Sequence, residues 1–211
     1  MEQKKIILPS SYFPSIDYFY LILKYKEVLI ETSDFYIKQS IRNHSIILGP
    51  NGDQKITVPI NRKNKTKTIF KDLKIAMNPW RKNHIKSIKT AYANSPFYLY
   101  YHEEIFKIIS KDFKFLLDLN KEILFFLIKE LNINVNITYT DKYIKDYGEE
   151  ALDFRTELKN SKNDYYIKYQ QTFLNSTKRL NKYSIIDLLF NLGNESKEKI
   201  LSEISKTNNY I

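Results

Sequence analysis

A segment rich in basic and amide side chains offers groups that bind anions. In "YIKQSIRNHSI" (36–46), Lys38, Arg42 and Asn43 lie within six residues of one another. A guanidinium can hold a carboxylate or a phosphate through two parallel hydrogen bonds, and a lysine adds a compact charge. We therefore predict an anionic small-molecule substrate, held by Lys38 and Arg42 and oriented by Asn43. The alternative is a polar edge strand whose charges lie in water.

The short loop "PSSYFP", which begins at Pro9, offers hydroxyl groups. Pro9 ends the preceding strand, and Pro14 is expected to restrict Phe13 to extended geometry. Ser11 and Tyr12 then precede a helix N-terminus, where free N–H groups and the helix dipole favour an anion. We predict that Ser11 binds substrate and that Tyr12 orients it or takes part in catalysis. A packed connector whose hydroxyls cap the helix is the other interpretation.

A helical stretch, "PWRKNHIKSIKTAY" (79–92), places an indole and an imidazole on one face. Trp80 and His84 are four residues apart, so they are neighbours on the helix surface. An imidazole titrates near neutral pH, and His84 is therefore the predicted proton-transfer group, with Trp80 as a substrate-binding wall. A core contact between the two rings is equally compatible. The catalytic hypothesis requires the loop, the basic segment and His84 to share one cavity.

Several familiar chemistries are excluded by what the chain lacks. Its four glycines form neither a dinucleotide-binding motif nor a P-loop, and there is no nucleophile elbow. The absence of cysteine excludes disulfides, thiolate ligands and cysteine nucleophiles. His44, His84 and His102 lack the spacing of a zinc-binding helix, so no metal site is predicted. The sequence does not indicate which cofactor, if any, the protein uses.

Length and charge suggest one domain with a basic surface. The 211 residues carry a net charge of +10, mostly from lysines that are scattered along the chain. The abundance of Lys, Asn, Ile and Tyr, which all have AT-rich codons, accounts for this charge without a polyanionic partner. We expect no nucleic-acid partner, although a binder with its lysines on one face remains the third hypothesis. We predict a single domain over 1–211, and the oligomeric state stays open.

The hydrophobic pattern indicates a cytoplasmic protein. The apolar run near the N-terminus is interrupted at Pro9, which does not resemble a signal peptide. The most apolar helical stretch, "EILFFLIKEL" (122–131), is too short and too charged to cross a bilayer. No transmembrane segment is therefore expected.

The predicted elements indicate an α/β or α+β fold with a small mixed sheet. An N-terminal βαβ-like unit comprises a strand at 4–8, a helix from Ile16 capped by Ser15, and a strand at 27–32. A β-hairpin spans 45–60 with an Asn-Gly turn, and a strand is expected at 70–76. The second half is largely helical: helices at 79–92, at 96–131 with a break near 110–113, at 184–193 and at 195–204, a strand at 134–140, and a variable, irregular region at 141–182.

These stretches together resemble the WbqC-like family. The resemblance rests on "LPSSYFPSIDYF", on "QSIRNHSI", on the turn followed by "ITVP", on the Trp-x-x-x-His helix with its later Tyr92, and on "YSIIDLLFNLGNES". The chain looks like a short form that lacks the Gly-rich segment which longer members carry in their third quarter. It also has Leu8 where many members have Gln, and Ser15 where many have Trp.

The resemblance implies a role in the biosynthesis of O-antigen or other surface polysaccharides. We therefore expect a bacterial transferase-like enzyme that acts on a nucleotide-sugar or on an activated acyl group. The alternative is a non-catalytic binding or scaffold protein for envelope-assembly enzymes. That alternative predicts an exposed aromatic patch, and its candidate members are Tyr98, Tyr100, Tyr101, Tyr165, Tyr166 and Tyr169.

Overall fold

The computed structural model describes residues 4–61, 68–156, 158, 167–173 and 182–208. The strands are β1 (Lys5–Pro9), β2 (Glu27–Glu31), β3 (His44–Gly49), β4 (Gly52–Thr57), β5 (Ile60–Asn61), β6 (Lys74–Ile75), β7 (Asn136–Tyr139) and β8 (Ala151–Asp153). The helices are α1 (Ile16–Tyr25), α2 (Trp80–Tyr92), α3 (Tyr98–Ser110), α4 (Leu116–Glu130), α5 (Ile185–Leu192) and α6 (Glu195–Asn208).

A four-stranded parallel sheet with the order β7-β2-β1-β8 lies at the centre of the fold. The predicted βαβ unit is confirmed, since β1 and β2 pair in parallel and Ile6 lies opposite Val28. Helix α1 begins where expected because the Ser15 hydroxyl accepts a hydrogen bond from the Tyr18 N–H at 3.3 Å. Its apolar residues, including Phe19, are buried in the core.

The predicted hairpin is confirmed as β3 and β4, which pair from His44 opposite Thr57 to Gly49 opposite Gly52. Gly52 has φ +99°, a backbone conformation that suits glycine at the turn. The hairpin forms a sheet of its own, so the parallel and antiparallel strands of this α/β fold lie in separate sheets.

Two local predictions are wrong in detail. The strand expected at 70–76 is a 3₁₀ turn at Phe70–Asp72 followed by the two-residue strand β6. The helix expected from residue 96 begins at Tyr98, without a side-chain cap. The break expected near 110–113 is confirmed, because α3 ends at Ser110 and α4 begins at Leu116.

Strand β8 lies inside the region that the sequence indicated to be irregular. Only three residues long, it pairs in parallel with β1, with Lys5 opposite Ala151. So short a strand has no detectable alternation and owes its form to the edge of β1. The pairing matters for function because it brings the residues after Asp153 beside the end of β1.

The expected tyrosine patch is wrong for two of its members. Tyr98 and Tyr101 are buried and share the inner face of α3 with Ile105, at helical spacing, whereas Tyr100 is exposed. Tyr165 and Tyr166 lie outside the described residues. Within the described parts of the chain, no helix has both the length and the apolar character needed to cross a membrane.

Candidate functional site

Tyr12 and His84 are in direct contact, together with Trp80, and we call these three residues the Tyr12–His84 cluster. The Tyr12 hydroxyl lies 2.8 Å from His84 Nδ1, and the Trp80 and His84 ring centroids are 4.9 Å apart. The helical face predicted from the i, i+4 spacing thus meets the loop after β1. All three side chains are buried.

The partners of His84 define its tautomer. Its Nε2 lies 3.1 Å from the Thr57 carbonyl oxygen, which can only accept, so Nε2 carries the proton. Nδ1 then accepts from the Tyr12 hydroxyl. Burial lowers the pKa of His84 to about 4, although the hydrogen bond to Thr57 opposes this shift. The lowered pKa keeps the ring neutral. Both nitrogens already have protein partners, and a proton-transfer role for His84 remains a prediction.

The loop after β1 has a different backbone from the one expected. Phe13 has φ +41°, in the left-handed region, and not the extended geometry inferred from the proline that follows it. Long-range hydrogen bonds stabilise this conformation: Ser45 Oγ donates to the Phe13 carbonyl at 2.7 Å, and the Tyr12 N–H donates to the Ile41 carbonyl at 2.9 Å. The Ser11 hydroxyl also donates to the Ile41 carbonyl, at 3.3 Å.

The basic segment therefore meets the loop through its backbone, but its side chains diverge. The Asn43 side chain donates to the Val58 carbonyl at 3.0 Å and accepts from the Tyr36 hydroxyl at 3.0 Å. Lys38 is exposed. The buried Arg42 forms an ion pair with Asp34 instead of joining the Tyr12–His84 cluster. The structure thus separates the imidazole from the guanidinium that sequence reasoning had placed together.

A second arginine, which the sequence did not single out, accompanies Arg42. Arg155 follows β8, and its guanidinium contacts the buried Glu31 at 3.1 Å and Asp153 at 2.9 Å. Its Nη1 also donates to the Ile144 carbonyl at 2.8 Å. The hydrogen bonds to Asp153 raise the pKa of Arg155, which therefore remains charged. No local pattern marks this arginine, because β8 itself is not recognisable in the sequence.

The two arginines line a small cleft, which we call the arginine cleft. Its walls include Pro9, Ile37, Ser40, Arg42, Arg155 and Thr156, and its volume is about 60 Å³. It lies outside the carboxyl ends of β1 and β8. The chain leaves β1 toward β2 on one side, whereas β8 lies on the other, so this is the topological switch point where open α/β sheets bind ligands.

Two buried donors at the arginine cleft lack hydrogen-bond partners among the described residues. Ser40 Oγ and Arg42 Nε are buried without a hydrogen-bond partner among the described residues, and so is Asp34 Oδ1. Leaving a buried donor unpaired costs about 1–3 kcal/mol, so such groups are uncommon in native proteins. Ser40 and Arg42 line the cleft, and a bound anion would give each donor an acceptor.

The charges around the cleft are closely balanced. Glu31, Asp34 and Asp153 form ion pairs with Arg42 and Arg155, and the carboxylates outnumber the guanidiniums by one. The cleft walls themselves contain both guanidiniums and none of these carboxylates. Burial raises the pKa of Asp34 to about 6, although Arg42 opposes the shift. Anion binding there must come from directed hydrogen bonds and not from a strong positive field.

Asn120 on α4 also supports the cleft, and sequence reasoning missed it. Its Nδ2 donates to the Arg42 carbonyl at 2.8 Å and to Ser10 Oγ at 3.1 Å, which ties the end of β1 to the basic segment. The available signal was an amide among apolar residues of "LLDLNKEILFFLI". Thr140, just after β7, likewise donates to Glu31 at 2.7 Å.

Two other polar features lack these properties. A larger groove of about 540 Å³ separates the hairpin turn from α2, but it is open, and Gln54 donates to Ser87 across it at 2.8 Å. The buried Asp187 accepts from the hydroxyls of Tyr92 at 3.0 Å and Tyr169 at 2.6 Å. Asp187 therefore has internal partners and stabilises the packing of α5. The described residues include no group of three or more His, Asp or Glu side chains that could hold a metal.

The parallel sheet and the cleft at its switch point define an α/β protein with a polar cleft at the carboxyl edge of its strands. The chain belongs to the WbqC-like protein family, whose family model matches residues 10–162. The match includes the loop after β1, both arginines and His84. Comparison with curated proteins and with solved structures found no match.

Proposed function

We propose that this chain is a small cytoplasmic transferase-like enzyme that binds the anionic group of an activated substrate, a nucleotide-sugar or an acyl donor, in the arginine cleft. The observation that carries the proposal is the pair of guanidiniums at the switch point, with buried donors that have no partner in the described parts of the chain. Membership of the WbqC-like family supports a role in O-antigen or other surface-polysaccharide biosynthesis, by the association with gene clusters that the family's name implies.

The proposed roles follow from the contacts. Arg42 holds the anion through its remaining N–H donors, and Ser40 adds a hydroxyl. The N–H groups of Arg155 already bond to Glu31, Asp153 and the Ile144 and Lys145 carbonyls, so Arg155 contributes its positive charge. Asn43 and Ser11 position the segment by bonding to backbone carbonyls.

The contacts support the proposed roles of three further residues less directly. Lys38, exposed beside Ile37 of the cleft wall, adds charge at its entrance. Tyr12 and His84 stay the candidates for proton transfer, and for that role a substrate must replace one of the hydrogen bonds that they now make.

Isothermal titration calorimetry against nucleotide-sugars and acyl-coenzyme A thioesters tests the proposal. The wild type should bind at least one class, and the double variant Glu31→Gln/Arg155→Gln should bind at least tenfold more weakly, because one guanidinium is lost while no buried charge is left unpaired. Arg81→Gln is the matched control, since Arg81 pairs with the exposed Asp112. Absence of binding to every compound would overturn the proposal.

The pH dependence of binding provides a second test. Protonation of Asp34 removes the competing carboxylate from Arg42, so affinity for a diphosphate should rise as the pH falls through about 6. A nucleotide-sugar is a suitable probe because its diphosphate keeps its charge over this range. Asp34→Asn should bind tightly at pH 7 and lose this dependence, and an affinity that falls with pH in the wild type would contradict the assignment.

A further inference from the structure

Three exposed apolar residues lie in the wall of the arginine cleft or beside Arg155. Ile37 is 49% exposed, Tyr143 52% and Ile144 36%. Ile37 follows β2 and forms part of the cleft wall, whereas Tyr143 and Ile144 follow β7, the neighbour of β2 in the sheet. We call these three residues the apolar rim. Large apolar side chains grouped at a polar cleft indicate a surface that a ligand covers.

The apolar rim is joined to the arginine that lines the cleft. The Arg155 guanidinium carbon lies 5.2 Å from the centroid of the Tyr143 ring, and its Nη1 donates to the Ile144 carbonyl. Ile37 and Arg155 line the same cavity. A ligand whose charged group reaches Arg155 must therefore leave the cleft next to these apolar side chains.

The size of the cleft limits what can enter it. A volume of about 60 Å³ accommodates a few water molecules, at roughly 10–15 Å³ each on this measure, or one phosphate or carboxylate group. The remainder of any activated substrate must lie outside, and the surface that it meets there includes the apolar rim. A sugar ring or a nucleotide base would leave most of the aliphatic surface of Ile37 and Ile144 uncompensated, whereas a hydrocarbon chain would cover it.

We propose that the substrate is amphiphilic: its anionic group enters the arginine cleft and an apolar chain lies across the apolar rim. This inference rests on the proposed function and favours, within its acyl class, a donor whose chain is attached directly to the anionic group. Because burial of each methylene stabilises the complex, affinity should rise by up to about fourfold for every CH₂ that contacts the rim.

A series of alkyl phosphates tests the proposal, with inorganic phosphate as the chain-free reference. Calorimetry below the micelle concentration should show affinity rising from ethyl through butyl to hexyl phosphate. Ile37→Ser and Tyr143→Ser should reduce that increase at least threefold per two carbons, when the affinity of each variant for alkyl phosphates is divided by its own affinity for inorganic phosphate. Leu99→Ser is the control, because Leu99 is also an exposed apolar residue but lies on α3, which contributes no residue to the cleft.

The outcomes separate this inference from the proposed function. If inorganic phosphate binds and the affinity of alkyl phosphates does not depend on chain length, the amphiphilic substrate is overturned. The anion site in the arginine cleft would still be supported. A chain-length dependence that survives both rim variants would also overturn it, since the chain would then lie elsewhere. Absence of phosphate binding would overturn the anion site itself. Binding to anionic phospholipid vesicles without binding of monomeric alkyl phosphates would show a membrane-facing surface and reject a single bound chain.

Discussion

The Tyr12–His84 cluster and the arginine cleft are two polar regions beside the same backbone segment, and they differ in how completely their groups are paired. In the cluster, the Tyr12 hydroxyl and both His84 nitrogens have partners within the protein, and only Trp80 Nε1 has none among the described residues. In the cleft, Ser40 Oγ and Arg42 Nε have none among the described residues. Paired buried groups stabilise a fold, whereas an unpaired donor that lines a cleft is a candidate contact for a ligand.

The difference follows from the chemistry of the side chains. A neutral imidazole has one donor and one acceptor, and two neighbours suffice to pair both. A guanidinium has five N–H donors in a rigid fork, and Arg42 meets only part of that capacity through Asp34. The region with the larger excess of donors is therefore the better candidate for ligand binding.

The largest expected effect lies on the cleft side of the comparison. Arg155→Ala should lower the free energy of unfolding by about 3–5 kcal/mol, because Glu31 stays buried without its cation. The double variant Glu31→Gln/Arg155→Gln should recover most of this loss while binding anions poorly. Urea denaturation measures both, and an Arg155→Ala protein as stable as the wild type would show that the ion pair is not formed.

The next effect is the pH dependence of stability that arises from His84. Its pKa is lowered from 6.5 to about 4, so the unfolded chain binds more protons in that interval, and stability falls as the pH drops from 6.5 to 4. A shift of this size corresponds to about 3 kcal/mol. Relative to the wild type, His84→Gln should lose this component, which urea denaturation at pH 4.5 and pH 7 can measure.

Asp34 provides an internal comparison of opposite sign. Its pKa is raised from 3.8 to about 6, so its contribution is present below 3.8 and is lost as the pH rises through 6. The two contributions partly cancel in the wild type. Asp34→Asn should therefore make stability decrease more steeply with acid than it does in the wild type, and an unchanged slope would contradict the raised pKa.

Tyr12→Phe has a smaller expected effect. It leaves His84 Nδ1 buried without a donor, which should lower the free energy of unfolding by about 1–3 kcal/mol. Tyr100→Phe is the control, since Tyr100 is exposed. If the two regions are separate, phosphate affinity should not change in Tyr12→Phe. A change in phosphate affinity of more than threefold would instead show that the two regions form one site, and would favour the catalytic role predicted for Tyr12 and His84.

The smallest expected change in stability belongs to Ser40→Ala, which separates a binding role from a structural one. Ser40→Ala removes a buried hydroxyl that finds no partner among the residues the structure describes, so stability should stay the same or rise by up to about 1 kcal/mol. The same variant should bind phosphate about tenfold more weakly, because a hydrogen bond to a charged group is lost. Reduced stability with unchanged affinity would place Ser40 among the structural residues.

The candidate site was predictable from sequence only in part. The contact between the loop and α2 followed from the i, i+4 spacing of Trp80 and His84 and from the position of Tyr12 at a strand–helix junction. The orientation of the Arg42 side chain could not be predicted, because no local sequence feature indicates that it pairs with Asp34. Arg155 and Asn120 escaped notice because their partners are distant in sequence.

By itself, the sequence determined the elements whose signals are local. Proline and serine mark the end of β1 and the start of α1, the Asn-Gly turn defines the hairpin, and helical spacing indicates α2 and α3. Only the tertiary structure decided which polar groups meet. Glu31 and Arg155 are 124 residues apart, and their pairing depends on β8 adding to the edge of β1. Periodicity reports which face of an element is apolar, but not which distant charge it will face once the chain has folded.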